Sequence, residues 1–402
     1  MQAMLINLSP TPPDAVMLAA RLFAEDPRPH KVNLGIGMYY DEEGRIPQLA
    51  AVREADHRLR SRNRPWPYLP AEGLVDLKNK AMPVVFGEDQ ADDLRRRTAW
   101  IQTVGGTGAV RIGAELARAI APDAMASISD PSWPNHEAIF RAVGARVSSY
   151  RYYDVESCDI DVDGMLEDLG RLPRGTVVVL HGCCHNPTGF DPTPAQWNHI
   201  AQVLADRGLI PFIDLAYQGF GEGLEADAQS VRIIAQSCNL IFVSVSFSKS
   251  FSLYGERVGL LFVVTESEAQ AALVGERARA VSRALYSSAP SNGALLIAEV
   301  LGDPQLKTTW IDELDAMRRR ILLMRAELVD QLAGGNRGAN FAPIKAQRGL
   351  FSYSGLTRTE IERLRVDHAV HAVADGRICL AALNAGNLPS VAAAIRQVSS
   401  RH

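Results

Sequence analysis

Lysine is scarce in this chain of 402 residues: six stand among 42 basic residues, and arginine supplies the rest. A lysine in an apolar setting here therefore calls for a chemical reason. Cysteine is scarce too. The five present, Cys158, Cys183, Cys184, Cys238 and Cys379, are odd in number and their only close pair is adjacent. That argues against a disulfide framework or a zinc site and fits a reducing compartment. No apolar run approaches membrane-spanning length, and MQAMLINLSPTPPDAV lacks a basic stretch leading into an apolar one, so a cytoplasmic protein is expected. Neither sign of charge dominates. A net charge of −4 gives no reason to expect a nucleic acid or a membrane as partner, and small anionic metabolites would be caught by local arginines.

What is present is the composition of a soluble globular protein, 47% hydrophobic and 22% charged, long enough for a large core and two domains. Short β-branched runs at Trp100–Thr103, Met125–Ser129, Val147–Tyr150, Thr176–Leu180, Leu209–Ile213, Leu240–Val245 and Val258–Val264 alternate with amphipathic segments such as Ala109–Ile120 and Thr193–Arg207. This alternation predicts an α/β fold with a mainly parallel sheet between helices, whose ligands bind at the carboxyl ends of strands. Farther on, Trp310, Leu314, Met317, Ile321, Met324 and Leu328 recur at intervals of four and three, the stripe of one long helix leading into a smaller C-terminal domain.

Lys249 stands in SFSKSF, just after the apolar run Leu240–Val245. An ammonium in a low-dielectric site neutralises or reacts, and a depressed pKa makes an amine a Schiff-base former. Ser246 and Ser248 flank it and Arg257 follows in SLYGERVG; hydroxyls and a guanidinium fork suit a phosphate monoester. A lysine beside a phosphate cup suggests pyridoxal phosphate. GGTGA (105–109) adds a helix start as an anion site, and Arg111 stands where a dinucleotide fingerprint needs glycine, which disfavours a nicotinamide cofactor. Asp214, in DLAYQGF, ends an apolar run: it either caps the next turn or pairs with a protonated pyridine nitrogen, with Tyr217 three residues on. Asn186 in CCHNPTG serves the turn or bonds a cofactor oxygen. His181 and His185 have no metal-ligand companion at useful spacing and read as structural. Trp133 in DPSWPNH is core or stacks on a flat ring, with His136 behind it.

In this order, Lys249, Asp214, Tyr217, Asn186 and Arg257 make the sequence resemble the aspartate and aromatic-amino-acid aminotransferases, fold-type I enzymes dependent on pyridoxal phosphate. The resemblance runs from NLGIG (33–37) through YLPAEG, GGTGA, DPSWPNH, CCHNPTG, DLAYQGF, SFSKSFSLYGERVG and YSS to GLFSYSGL and ADGR. It implies a seven-stranded sheet in a large domain over 47–316, a smaller α+β domain built from 12–46 and 317–402, and an arm, 1–11, that embraces a partner subunit in a homodimer. It also implies that Lys249 carries the cofactor, Asp214 meets its pyridine nitrogen, Tyr217 and Asn186 meet its ring oxygen, and Trp133 stacks on the ring. Gly106, Thr107, Ser246, Ser248 and Arg257 would hold the phosphate, with Tyr68 reaching across from the partner. Arg377 would bind the substrate α-carboxylate beside Gly37, and Arg283, also from the partner, a side-chain carboxylate.

Within the family, Tyr40, Ile46 and Ser288 stand where aspartate-preferring members tend to carry lysine, threonine and asparagine. Each makes the pocket less charged or roomier. Pro67 and Thr107 do not follow the aromatic type, so dual specificity for aromatic amino acids and aspartate, with 2-oxoglutarate as acceptor, is the expectation. β-Elimination or decarboxylation on the same cofactor is the rival chemistry, and a non-catalytic regulatory module the rival class.

Overall fold

The computed structural model describes residues 14–335 and 338–399; the expected N-terminal arm, 1–11, lies outside them. Seven strands form the central sheet: β1 (Thr98–Val104), β2 (Ala126–Asp130), β3 (Val147–Arg151), β4 (Val177–His181), β5 (Ile210–Leu215), β6 (Ile241–Ser246) and β7 (Val258–Val264). Their spatial order is β1-β7-β6-β5-β4-β2-β3. Only β7 runs against its neighbours, so the other six end at one edge.

The alternation of strand side chains explains why both faces are covered. Val178, Leu180, Ile213 and Leu215 enter one core with the helices Pro194–Arg207 and Gln229–Ser237, whereas Val177, Val179, Ile210 and Phe212 enter a second with the helix Gly105–Ile120. A strand apolar on both faces reads as a continuous hydrophobic run, which is what β5, β6 and β7 show. The helix Pro194–Arg207 starts at a capping box made by Thr193 and Gln196 and stops at Gly208, whose φ is +59°.

The stripe from Trp310 to Leu328 lies on one helix, Pro304–Leu332, and all six of its residues are buried. Trp310 stacks on Phe251 at 4.4 Å and donates its indole N–H to the Ser250 carbonyl at 2.7 Å. The helix thereby grips the turn immediately after Lys249. The two chain ends also meet, since Val32–Asn33 pairs in parallel with Val370–His371, and Phe351–Tyr353 pairs with Arg377–Cys379. No described helix is long and apolar enough to cross a membrane.

Candidate active site

The common edge of the six strands opens on a cavity of about 240 Å³ lined by Gly37, Gly106, Thr107, Trp133, His181, Asn186, Asp214, Ala216, Tyr217, Ser246, Ser248, Lys249, Tyr254 and Arg257. Parallel register sets its floor: Asp214 is the partner of His181 on β4 and of Ser244 on β6. The Asp214 carboxylate accepts from the Ser244 hydroxyl at 2.7 Å and lies 2.9 Å from His136 Nε2. Burial alone would raise its pKa, but the hydrogen bond from His136 and that from Ser244 outweigh burial and hold it below the usual value. The carboxylate is therefore anionic, fixed in direction, and placed beside Lys249 in one cavity.

Lys249 Nζ sits 4.8 Å above the Tyr217 ring. Burial lowers its pKa to about 8, with Arg257 adding to the effect and Asp214 opposing it. At neutral pH about a tenth of such an amine is free, against less than about a thousandth for an ordinary lysine. Because only the free base attacks, the rate at which an amine-reactive reagent labels Lys249 should rise as pH increases and level off above about 8. Mass spectrometry of the Lys249 peptide in the cofactor-free protein measures this; a midpoint at the ordinary lysine value contradicts it. Burial raises the Tyr217 phenol above its ordinary value, which keeps it a hydrogen-bond donor at neutral pH.

One end of the cavity is built for an anion. The helix Gly105–Ile120 has no side-chain cap, so the N–H groups of its first turn after Gly105 and the positive end of its dipole are free to meet a ligand. Two glycines make this approach possible. A Cβ on Gly259 would lie 2.5 Å from the Gly105 backbone, and one on Gly105, whose φ is +67°, would lie 2.4 Å from Arg257 Nη2. Chain contact at that point ties Gly105 N–H to the Arg257 carbonyl at 2.9 Å. The Arg257 guanidinium donates to Ser248 Oγ at 3.3 Å and to the Tyr254 carbonyl at 3.0 Å, and no carboxylate among the described residues pairs with it. An unpaired guanidinium, two serine hydroxyls and open helix N–H groups fit a phosphate monoester.

Arg377 is buried behind the cavity, where Nη1 donates to Asn186 Oδ1 at 3.0 Å and Nη2 to the Gly35 carbonyl at 3.3 Å. Its Nε has no partner, nor does either ring nitrogen of His181. Burial and the neighbouring His185 and His136 hold His181 well below the usual histidine pKa, so it is neutral. Sequence reasoning passed over His181 and Tyr254 as site residues. His181 could have been found from its place at a strand end beside Asp214.

The remaining expected residues lie elsewhere. Tyr68 is 95% exposed, Arg283 is exposed with its guanidinium on Ser287 Oγ at 2.6 Å, and Tyr40 and Ser288 are half-buried without lining the cavity. Cys183, Cys184 and Asp227 place two thiols and a carboxylate within 4.8 Å of one another. The contact with Cys184 and burial push the Cys183 thiol up, burial pushes Cys184 up to about 12, and Asp227 already accepts from three backbone N–H groups.

Comparison with known proteins decides the family. The profile of the family described as aminotransferase class I and II matches residues 29–395. The chain belongs to this family. It is 47% identical to an aspartate aminotransferase of Pseudomonas aeruginosa, covering 96% of this chain and 97% of that one. It is 45% identical to an aromatic-amino-acid aminotransferase of Escherichia coli, covering 96% and 97%. Among solved structures, the aromatic-amino-acid aminotransferase of Burkholderia pseudomallei, covalently bound to pyridoxal phosphate, superposes with a TM-score of 0.94 at 46% identity, covering 98% of this chain and 99% of that one. The α/β fold and the transferase class expected of this aminotransferase therefore hold.

Proposed function

We propose that this aminotransferase moves amino groups between an aromatic amino acid and 2-oxoglutarate on pyridoxal phosphate, with aspartate as a further donor. The observation that carries this is one cavity joining a depressed lysine amine, a fixed carboxylate and an uncapped helix start beside a guanidinium free of any carboxylate, with the buried Arg377 donating to Asn186 of its lining. When bound, the cofactor supplies an electron sink for the bond broken at the substrate α-carbon. Lys249 would hold it, and its Nζ, once freed by substrate, would take up and give back the α-proton. Asp214, kept anionic by Ser244 and His136, would accept the pyridine N–H; Tyr217 and Asn186 would meet the ring oxygen, and Trp133 would stack on the ring. Gly106, Thr107, Ser246, Ser248 and Arg257 would take the phosphate, and Arg377 beside Gly37 would take the α-carboxylate.

We further read the molecule as a cytoplasmic homodimer. Its five free cysteines fit that compartment. The segments holding Tyr68 and Arg283 both anchor to Gln102 at the carboxyl half of β1: Leu74 N–H donates to Gln102 Oε1 at 2.9 Å, and the Tyr286 hydroxyl to the Gln102 carbonyl at 3.0 Å. Tyr68 and Arg283 are both exposed and line no part of the cavity, which suits a partner's site better than their own. The pairing of the two chain ends supports a smaller domain from 12–46 and 317–402, with 47–316 as the large one. Tyr40, Ile46 and Ser288, all less polar or smaller than the residues of aspartate-preferring relatives, favour an aromatic side chain.

The test is the ratio of kcat/KM for phenylalanine to that for aspartate, each with 2-oxoglutarate. A ratio above about ten is expected, since one aromatic side chain in an apolar pocket is worth that much discrimination. A ratio below one overturns the aromatic reading. Release of ammonia or carbon dioxide without 2-oxoglutarate overturns transamination itself.

A further inference from the structure

Arg325 lies on the buried side of the helix Pro304–Leu332 and is 1% exposed. No carboxylate among the described residues pairs with it. Its guanidinium is turned instead on one short segment: Nη1 donates to Ser352 Oγ and to the Ile344 carbonyl at 3.4 Å, and Nη2 donates to the carbonyls of Gly349 at 2.6 Å and Phe351 at 3.2 Å. Burial lowers its pKa to about 10, so it stays charged at neutral pH. Burying a cation without a counter-charge is unfavourable, and an apolar side chain of the same volume would pack there more cheaply. A role other than stability is needed to explain it.

That segment abuts the site on several sides. A Cβ on Gly349 would lie 2.5 Å from Cys184 Cβ, and Arg348 N–H donates to the Gly189 carbonyl at 2.5 Å, so the segment braces the loop carrying Asn186. The Phe351 ring lies 4.3 Å below the Arg377 guanidinium and meets Tyr217 edge-on at 6.1 Å. It also presses on Gly37, where a Cβ would come within 2.3 Å of its Cζ. One ring therefore touches Gly37, Tyr217 and Arg377, and its own backbone is pinned by Arg325.

We propose that Arg325 and Phe351 are positioning residues for substrate carboxylate binding: Arg325 fixes the backbone of 349–352, and the Phe351 ring sets where Arg377 holds its guanidinium. This rests on the reading that Arg377 takes the α-carboxylate. A ring removed from beneath a desolvated cation leaves it free to move, an effect of about tenfold in affinity.

The test uses the holoenzyme with Phe351→Leu, Arg325→Met and Arg377→Leu. Three readouts are taken: calorimetric affinity for succinate, a carboxylate that cannot react; KM and kcat for amino acid and 2-oxoglutarate; and the half-reaction of 2-phenylethylamine, which has no carboxylate. Phe351→Leu and Arg325→Met are expected to weaken succinate binding about tenfold and to raise KM for both substrates more than they lower kcat. The amine half-reaction and the cofactor absorption spectrum should move less than about twofold. Equal losses for amine and amino acid mean a general structural defect and overturn the proposal, as does unchanged succinate affinity in Phe351→Leu. If Arg325→Met does not fold, Phe351→Leu carries the test. Should Arg377→Leu weaken succinate while Phe351→Leu does not, this inference alone fails; should Arg377→Leu also bind succinate normally, the assignment of Arg377 fails with it.

Discussion

Lys249→Ala should lower turnover by about a millionfold, the scale seen when a covalent nucleophile is removed from an otherwise intact site. On the proposed function the same amine has two tasks, holding the cofactor and carrying the α-proton, so one substitution removes both. No neighbouring group replaces it. Tyr217, beneath Nζ, is held protonated by burial, and Arg257 offers a guanidinium and no amine. Lys249→Arg should therefore be nearly as inactive as the alanine variant, although it keeps the charge. Thermal unfolding should change little, because a depressed lysine pKa means the fold gains nothing from the ammonium. Steady-state kinetics with the visible spectrum of the loaded enzyme measure the outcome. A variant that loses the spectrum but keeps turnover contradicts the assignment.

Asp214→Asn is expected to reduce kcat by about a thousandfold, on the scale of losing one preorganised electrostatic contact in a water-excluded site. The amide has the shape of the carboxylate and can still meet Ser244 and His136, so packing at the floor of the cavity is retained. What it lacks is negative charge opposite the pyridine nitrogen. Asp214→Glu keeps the charge but lengthens the arm between two fixed partners, and should fall between the wild type and the asparagine variant. Single-turnover kinetics separate this loss from slow product release. An asparagine variant within about threefold of the wild type sinks the role given to Asp214.

Much of the fold could be read from the chain because β4 to β7 are buried on both faces and leave unbroken apolar runs. Val258–Val264 was expected as a strand and is β7, while Met125–Ser129 and Thr176–Leu180 are displaced by one residue in β2 and β4. The direction of β7 was not legible, since an apolar run carries no sign of orientation. The helix expected from Ala109 begins at Gly105: three glycines and a threonine are weak helix formers, and contact with Arg257 and Ser246 overrides their propensity.

The candidate site was legible where a charged residue ends or follows such a run, as with Lys249 after β6 and Asp214 in β5, which line one cavity. Residues that act by long-range contact were not. Tyr254 joins the site by accepting from Tyr39 N–H at 2.9 Å, across 215 residues of chain, and no local pattern announces that. Arg325 did leave a trace: with Ile321, Met324 and Leu328 it completes the helical spacing of a buried face, and an arginine at a core position is a signal in itself.

Reduction of the holoenzyme with borohydride, digestion and mass spectrometry test the central claim most directly. The account predicts that the cofactor's mass is fixed to the peptide bearing Lys249 and to no other lysine. Label on any of the other five lysines, or no covalent label in an active preparation, contradicts it.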